Sequence, residues 1–254
     1  RCTFTTRFNG IMIKKLYTIG DSWTYGDELE SPEIECYPYL LSQEFDCELI
    51  NKAICGGSND WMFRKTIEWV CSQENLEGVA IIVGWSSVNR REENYKIYHG
   101  AYKDDVIDKF IFSKLSNDEL EHYKSICYMI SLQEFLNSKS VKYLFYQPWY
   151  DILDCEKKLL RNRQQQERMN HKGWWNGVTD DYDTSCYTEE LTIGKIIDKV
   201  DKKYLVGPLV DDVERIMSGM YGRRNDGFPK MHPNKNDHKV ICEFIKGKLM
   251  ELYS

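Results

Sequence analysis

The chain has 254 residues, is 42% hydrophobic and 29% charged, and carries a formal charge of −6. That length buries a core without disulfide or metal staples, and the composition is globular rather than disordered. The acidic balance argues against a general nucleic-acid binder, which needs a basic face. No apolar run approaches the roughly 20 residues of a membrane span.

The nine cysteines, at 2, 36, 47, 55, 71, 127, 155, 186 and 242, form no CxxC pair. Zinc ribbons, redox motifs and a disulfide framework are therefore disfavoured, and free thiols in a reducing cytoplasm are expected. Arg1 to Ile11 has no apolar stretch of a signal peptide. It reads as an extension ahead of a single domain over 12–254.

In chain order, Leu16–Ile19 is a short apolar strand pattern ending at Gly20. Pro32–Phe45 reads as a helix, with Ser31 as cap and proline at its first position. Glu48–Ala53 suits a second strand. Ser58 or Asn59 can cap a helix running to Cys71, with Phe63, Ile67 and Val70 on one face. Val79–Val83 is continuously apolar, the pattern of a strand buried on both faces. Asn117–Asn137 is a helix with Leu120, Tyr123, Cys127 and Ile130 as its stripe. Val141–Tyr146 is a fourth strand and Lys203–Val206 a weaker fifth. Asn236–Leu252 closes the chain as an amphipathic helix through Ile241, Phe244, Ile245 and Leu249. Strands alternating with helices predict a parallel sheet covered on both faces. Two polar, aromatic stretches, at about 89–105 and 151–190, break the rhythm and read as insertions above the strand ends.

Four short segments carry chemistry. Gly20-Asp21-Ser22 follows the first strand, where a serine faces the crevice and its own N–H can meet an oxyanion. The same residues also suit a plain turn. His232, in His232-Pro233-Asn234, offers the near-neutral base that a serine nucleophile needs, or is simply a surface histidine before the last helix. His238, six positions on, lies inside that helix and is expected to be structural. Gly56-Gly57 follows the second strand, and glycine there lets a backbone N–H approach a ligand. Gly84-Trp85-Ser86-Ser87, with Arg90 and Arg91 beyond it, follows the third.

Together these segments resemble the SGNH (GDSL-like) hydrolase family, over Leu16–Glu92 and Asp226–Phe244. IGDSWTYGDEL is similar to the family's GDS block, which implies Ser22 as nucleophile. NKAICGGSN is similar to the second block, which implies an oxyanion N–H from Gly56. HPNKNDH resembles the family's HPN-x-x-G-H, which implies His232 as base, with Asp237 at a position that is often glycine. The resemblance implies a three-layer α/β/α sandwich around a five-stranded parallel sheet of flavodoxin-like order, serine ester hydrolysis, and no metal or organic cofactor.

Two departures stand out. Ser86 occupies the place of the third block's asparagine, so Ser86 is expected as an oxyanion donor, with Asn89 or Arg90 as substitutes. The family's acid sits three residues before the histidine, where this chain has Pro229. Asp226, six before, is then the candidate acid for a Ser-His-Asp triad, and a Ser-His dyad is the alternative. GWSSVNRRE resembles a variant subgroup found among phage and environmental sequences.

Trp23, Trp85, Trp149, Trp174 and Trp175 lie in or near the loops around these blocks. With Arg90 they are expected to line a substrate cleft. Aromatic faces suit sugar rings, so an O-acetylated or other short-chain carbohydrate ester is the expected substrate, with neither nucleic acid nor membrane as partner. Tryptophans that merely pack the insertions are the bland reading. A non-catalytic binding module on a decayed fold and acyl transfer to another alcohol are the rival functions.

Overall fold

The computed structural model describes residues 13–88, 90–93, 96–98, 118–148, 152–153, 196–207, 209 and 232–253. Its main sheet has five parallel strands: β1 (Lys15–Ile19), β2 (Glu48–Asn51), β3 (Val79–Gly84), a fourth at Lys142–Tyr146 and a fifth at Leu205–Val206. Between β3 and the fourth strand lies a separate antiparallel ribbon of β4 (Arg91–Glu93) and β5 (Lys96–Tyr98). The fourth and fifth strands of the main sheet are therefore β6 and β7. The order is β2-β1-β3-β6-β7, so the chain steps to one side of β1 and then reverses to the other. That reversal opens a crevice at the carboxyl ends of β1 and β3, where doubly wound sheets hold their ligands. Their register pairs Ile19 with Val83. Both strands thus end at one level and deliver Gly20-Asp21-Ser22 and Trp85-Ser86 side by side.

The helices are α1 (Ser22–Tyr25), α2 (Pro32–Glu35), α3 (Tyr37–Phe45), α4 (Asn59–Ser72), α5 (Asp118–Ser138) and α6 (Lys235–Tyr253). Alternation along the strands divides the core in two. Tyr17, Ile19, Ile81, Val83, Tyr143 and Phe145 face α4 and α5, meeting Met62, Val70, Ile126, Met129, Leu132 and Leu136. Leu16, Ala80, Ile82, Leu144 and Tyr146 face α3 and α6, meeting Tyr37, Leu41, Ile241, Ile245 and Leu249. Every residue of β3 is buried, as its unbroken apolar run requires. Each fully buried aliphatic chain contributes about 1.5–3 kcal/mol relative to exposure.

Several elements differ from expectation for definable reasons. The helix expected over 32–45 breaks at Cys36, whose backbone is extended. Pro38 has no N–H to continue the ladder, so a new helix starts there with the proline in its first turn. Ser31 makes no side-chain cap; instead the Glu35 carboxylate accepts the Ser31 N–H at 3.2 Å. The second strand stops at Asn51. Its side-chain carbonyl accepts from the Thr18 hydroxyl (3.0 Å) and the Ala53 N–H (3.1 Å), which turns the chain out of the sheet. On α5 the most buried stripe lies through Ile126, Met129, Leu132 and Leu136, while Leu120, Tyr123, Cys127 and Ile130 are half-buried beside it. Two polar residues of that stripe are absorbed by hydrogen bonds: Ser125 to Asn59, and Gln133 to the Lys199 carbonyl and the Asp201 N–H. Lys202–Tyr204 winds as a 3-10 turn capped by the Asp201 carboxylate, leaving two residues for β7.

α6 is held to α3 by His238. Its Nδ1 accepts the Tyr37 N–H at 3.1 Å, and the ring has no exposed surface. An acceptor at Nδ1 requires the neutral ring. Burial, helped by the nearby His232, pushes its pKa down from 6.5 to about 4. A folded-state value below the unfolded one means that the unfolded chain takes up the proton first. Stability is then lost as the pH falls from about 6.5 towards 4, by about 3 kcal/mol in total. We predict that His238→Asn, whose side-chain oxygen can replace Nδ1 as acceptor, flattens the pH dependence of urea unfolding across that window. An unchanged slope in the variant would contradict this.

Candidate active site

The site grows from the turn after β1. A Cβ on Gly20 would lie 2.0 Å from the Thr24 hydroxyl, so only glycine lets the chain fold back into α1 there. Asp21 then caps α1 with one carboxylate oxygen, Oδ1, which accepts the Trp23 N–H at 3.0 Å. Its other oxygen, Oδ2, accepts the Ser86 hydroxyl at 2.7 Å and the Arg90 guanidinium at 3.0 Å. Arg90 Nη1 also donates to the Ser86 oxygen at 2.6 Å. Asp21 has no exposed surface. A buried carboxylate is tolerable only when charge and hydrogen bonds both compensate it, and here they do.

Ser22 opens α1 directly beyond the sheet edge and is buried. Among the described residues neither its hydroxyl nor its N–H is hydrogen bonded. The Gly56 loop rests against the same turn. The Ile54 N–H donates to the Gly20 carbonyl at 3.2 Å, and a Cβ on Gly57 would approach that carbonyl to 2.9 Å. Gly56 itself has φ +76°, the left-handed region that glycine alone enters without strain. Its N–H, like that of Ser22, has no hydrogen-bond partner among the described residues.

A second clamp fixes the loop after β3. The Asn59 carboxamide accepts the Ser86 N–H at 2.7 Å and donates to the Ser86 carbonyl and the Ser125 hydroxyl, both at 3.1 Å. Asn59 therefore starts α4 without capping it, and Ser58 makes no side-chain cap either. The β4–β5 ribbon is tied to α4 at the same end. The Glu92 N–H donates to Asp60 at 2.8 Å, and the Arg64 guanidinium pairs with Glu92.

His232 arrives from the segment before α6. Pro233 follows it, and Asn234 then caps α6, its Oδ1 accepting the N–H groups of Asn236 and Asp237. The ring lies between two carboxylates of the loop after α1. Nε2 is 3.7 Å from Asp27 Oδ2, and Nδ1 is 3.4 Å from Glu28 Oε1. The Asp27 N–H in turn donates to the Ser22 carbonyl at 3.0 Å. His232 thus stands one residue from the Ser22 turn, without a Ser22–His232 hydrogen bond. Cys55 adds a thiol to this corner. Burial and the neighbouring Asp27 raise its pKa to about 11, so it is a poor nucleophile at neutral pH.

Three expected roles change. Trp23 and Trp85 are each 1% exposed and sit on opposite faces of the core, so neither offers a face to a substrate. The Trp85 ring meets Phe145 edge-on, with centroids 5.4 Å apart. Ser86 is 1% exposed, and its single hydroxyl proton is directed at Asp21, which removes it as an oxyanion donor. Arg90 turns inward onto Asp21 and Ser86, as part of the site's frame. Asp226, Pro229, Asn89, Trp149, Trp174 and Trp175 lie outside the described residues. Sequence reasoning missed Asn59 and Glu28. It saw Asp21 only as a turn residue, although an acid directly before a serine at a strand end was the available signal.

Among the described residues, no cluster of three or more His, Cys, Asp or Glu is arranged to hold a metal ion, and no helix is long and apolar enough to cross a membrane. The profile of DUF6071, a family of unknown function, matches residues 25–165. No curated protein matches the chain. Among solved structures it is similar to the psychrotrophic esterase EstA from Pseudoalteromonas sp., with 12% identity and a TM-score of 0.52 over 94% of this chain and 98% of that one. A lipolytic G-D-S-L family protein from Desulfitobacterium hafniense aligns at 12% identity and TM-score 0.45, over 92% and 99%. The acetyl xylan esterase AlAXEase aligns at 13% and 0.46, over 94% and 100%. The likeness to EstA shows that the chain shares its α/β fold.

Removing Asp21 would take away the buried carboxylate that both the Arg90 guanidinium and the Ser86 hydroxyl meet. Because Arg90 is partly solvated, we expect Asp21→Ala to cost about 3 kcal/mol, the lower end for a broken buried pair. That corresponds to a fall in Tm of about 6–12 °C for a chain of this size. The double variant Asp21→Ala/Arg90→Ala should lose less than the two single losses added together, since both singles remove the same ion pair. Simple additivity in thermal unfolding would show that the pair is not coupled.

Proposed function

The chain belongs to the DUF6071 family, and we propose that it is a serine esterase acting on a short-chain acyl ester. The carrying observation is the placement of Ser22 at the carboxyl end of β1, with the Gly56 loop packed on its turn and both N–H groups unpaired among the described residues. Two such N–H groups beside a serine form the cradle that a developing oxyanion needs.

In this reading His232 takes the proton from the Ser22 hydroxyl as its oxygen attacks the acyl carbon. The N–H groups of Ser22 and Gly56 hold the negative oxygen of the tetrahedral intermediate. His232 then passes the proton to the departing alcohol as the acyl–oxygen bond breaks. Water attacks the acyl-enzyme by the same route, giving the free acid and restoring Ser22. His232 must close onto Ser22 for this, a tightening typical between unliganded and reacting sites. Arg90 serves the third block as part of its frame. Paired with Asp21 and bonded to Ser86, it holds the loop after β3 in place beside the Ser22 turn rather than supplying a direct amide donor. The carbohydrate component of the substrate has less support than the ester, because Trp23 and Trp85 are core residues.

We expect the chain to hydrolyse p-nitrophenyl acetate and to be labelled at Ser22 by a fluorophosphonate. Ser22→Ala and His232→Ala should each lower kcat by at least about 10³-fold with the fold intact by circular dichroism. His238→Ala should act mainly on stability. Full turnover in a clean Ser22→Ala preparation would overturn the assignment. Binding of acetylated sugars with no labelling of the wild type would favour the non-catalytic module.

A further inference from the structure

We infer that Glu28, from the loop that follows the Ser22 turn, is the carboxylate that positions His232. The inference rests on the esterase reading above and adds to it the residue that fixes the base. His232 Nδ1 is buried and has no hydrogen-bond partner among the described residues, and Glu28 Oε1 lies 3.4 Å from it. Both side chains are largely withdrawn from solvent, at 15% and 11% exposure. A base that receives a proton at Nε2 must carry its own proton at Nδ1, and a carboxylate beside Nδ1 holds that tautomer and stabilises the imidazolium.

Among the described residues the other carboxylate at the ring is Asp27, and it cannot serve. Asp27 faces Nε2, the nitrogen that must meet Ser22, and its side chain is 41% exposed. Asp27 competes with the serine for the ring, whereas Glu28 leaves that nitrogen to it.

The backbone adds an independent observation. Glu28 has φ +69°, a left-handed conformation that disfavours every residue with a Cβ. Glycine would fit there at lower cost, as it does at Gly26, φ +90°, two residues earlier. Strain of this kind persists where the surrounding structure or the function requires that particular side chain. A carboxylate from the GDS block also explains how a chain with Pro229 in the usual place of the acid can still orient its histidine.

The strain supplies the test. Glu28→Gly removes the carboxylate while relieving the backbone, and circular dichroism should show it folded. Its kcat for p-nitrophenyl acetate should nevertheless fall by about 10²–10⁴-fold, with KM changed less than about threefold. Glu28→Gln should lose kcat similarly, and Glu28→Asp should recover part of it. Asp226→Asn should fall short of the Glu28→Gly loss by at least about tenfold. Long-range 1H–15N spectra give a readout that needs no turnover. His232 should carry its proton at Nδ1 in the wild type and lose that preference in Glu28→Gly. Wild-type kcat in Glu28→Gly, or an unchanged His232 tautomer, overturns the inference while leaving the esterase standing. Absent hydrolysis and labelling in the wild type would overturn the esterase, and the tautomer would still decide the role of Glu28.

Discussion

The site depends on one buried carboxylate. Asp21 uses one oxygen to start α1, which sets the backbone of Ser22, and the other to grip Ser86 and Arg90 from the loop after β3. Two crossover segments are thereby locked into one geometry at the crevice where the strand order reverses. A guanidinium, a hydroxyl and a backbone N–H converge on the Asp21 carboxylate and offset the cost of burying that charge. The Asn59 carboxamide repeats the logic with neutral groups, binding both the N–H and the C=O of Ser86. Ser86 is consequently a junction residue, its hydroxyl an acceptor for Arg90 and a donor to Asp21.

Stability and site geometry are linked through α6. The same short segment places His232 near the Ser22 turn and His238 in the core against α3. His238 must stay neutral to accept the Tyr37 N–H, so acid weakens the anchor of the helix that follows the proposed base. The hydroxyls of Thr24 and Tyr146 meet in a short contact beneath α1, joining the helix that carries Ser22 to β6. The position of Ser22 is thus over-determined, from Asp21 on one side and from the sheet beneath.

Much of the fold was legible in the sequence because its signals are local. The unbroken apolar run of β3, the short apolar run of β1 and the periodicity of α6 each report burial directly. The break at Cys36 was legible in principle from Pro38, but a proline in the first turn also suits a continuous start at Pro32. The offset stripe of α5 was not legible, because Ser125 and Gln133 are buried through partners distant in sequence. At the site, Ser22, Gly56 and His232 stand in blocks with recognisable spacing. Asn59 and Glu28 carry no such signal. One contributes through an amide reaching across to another loop, the other through a backbone conformation and a neighbour about two hundred positions away. Trp23 and Trp85 were misplaced because an aromatic residue beside a loop motif looks the same whether its ring faces a cleft or the core.

The most direct measurement is a crystal structure of the adduct formed with a small phosphonate ester inhibitor. The account predicts phosphorus bonded to Ser22 Oγ and a phosphoryl oxygen about 3 Å from the N–H groups of both Ser22 and Gly56. It also predicts the His232 ring turned with Nε2 towards Ser22 and Nδ1 towards Glu28. An adduct on another residue, or a phosphoryl oxygen directed away from both N–H groups, would contradict it.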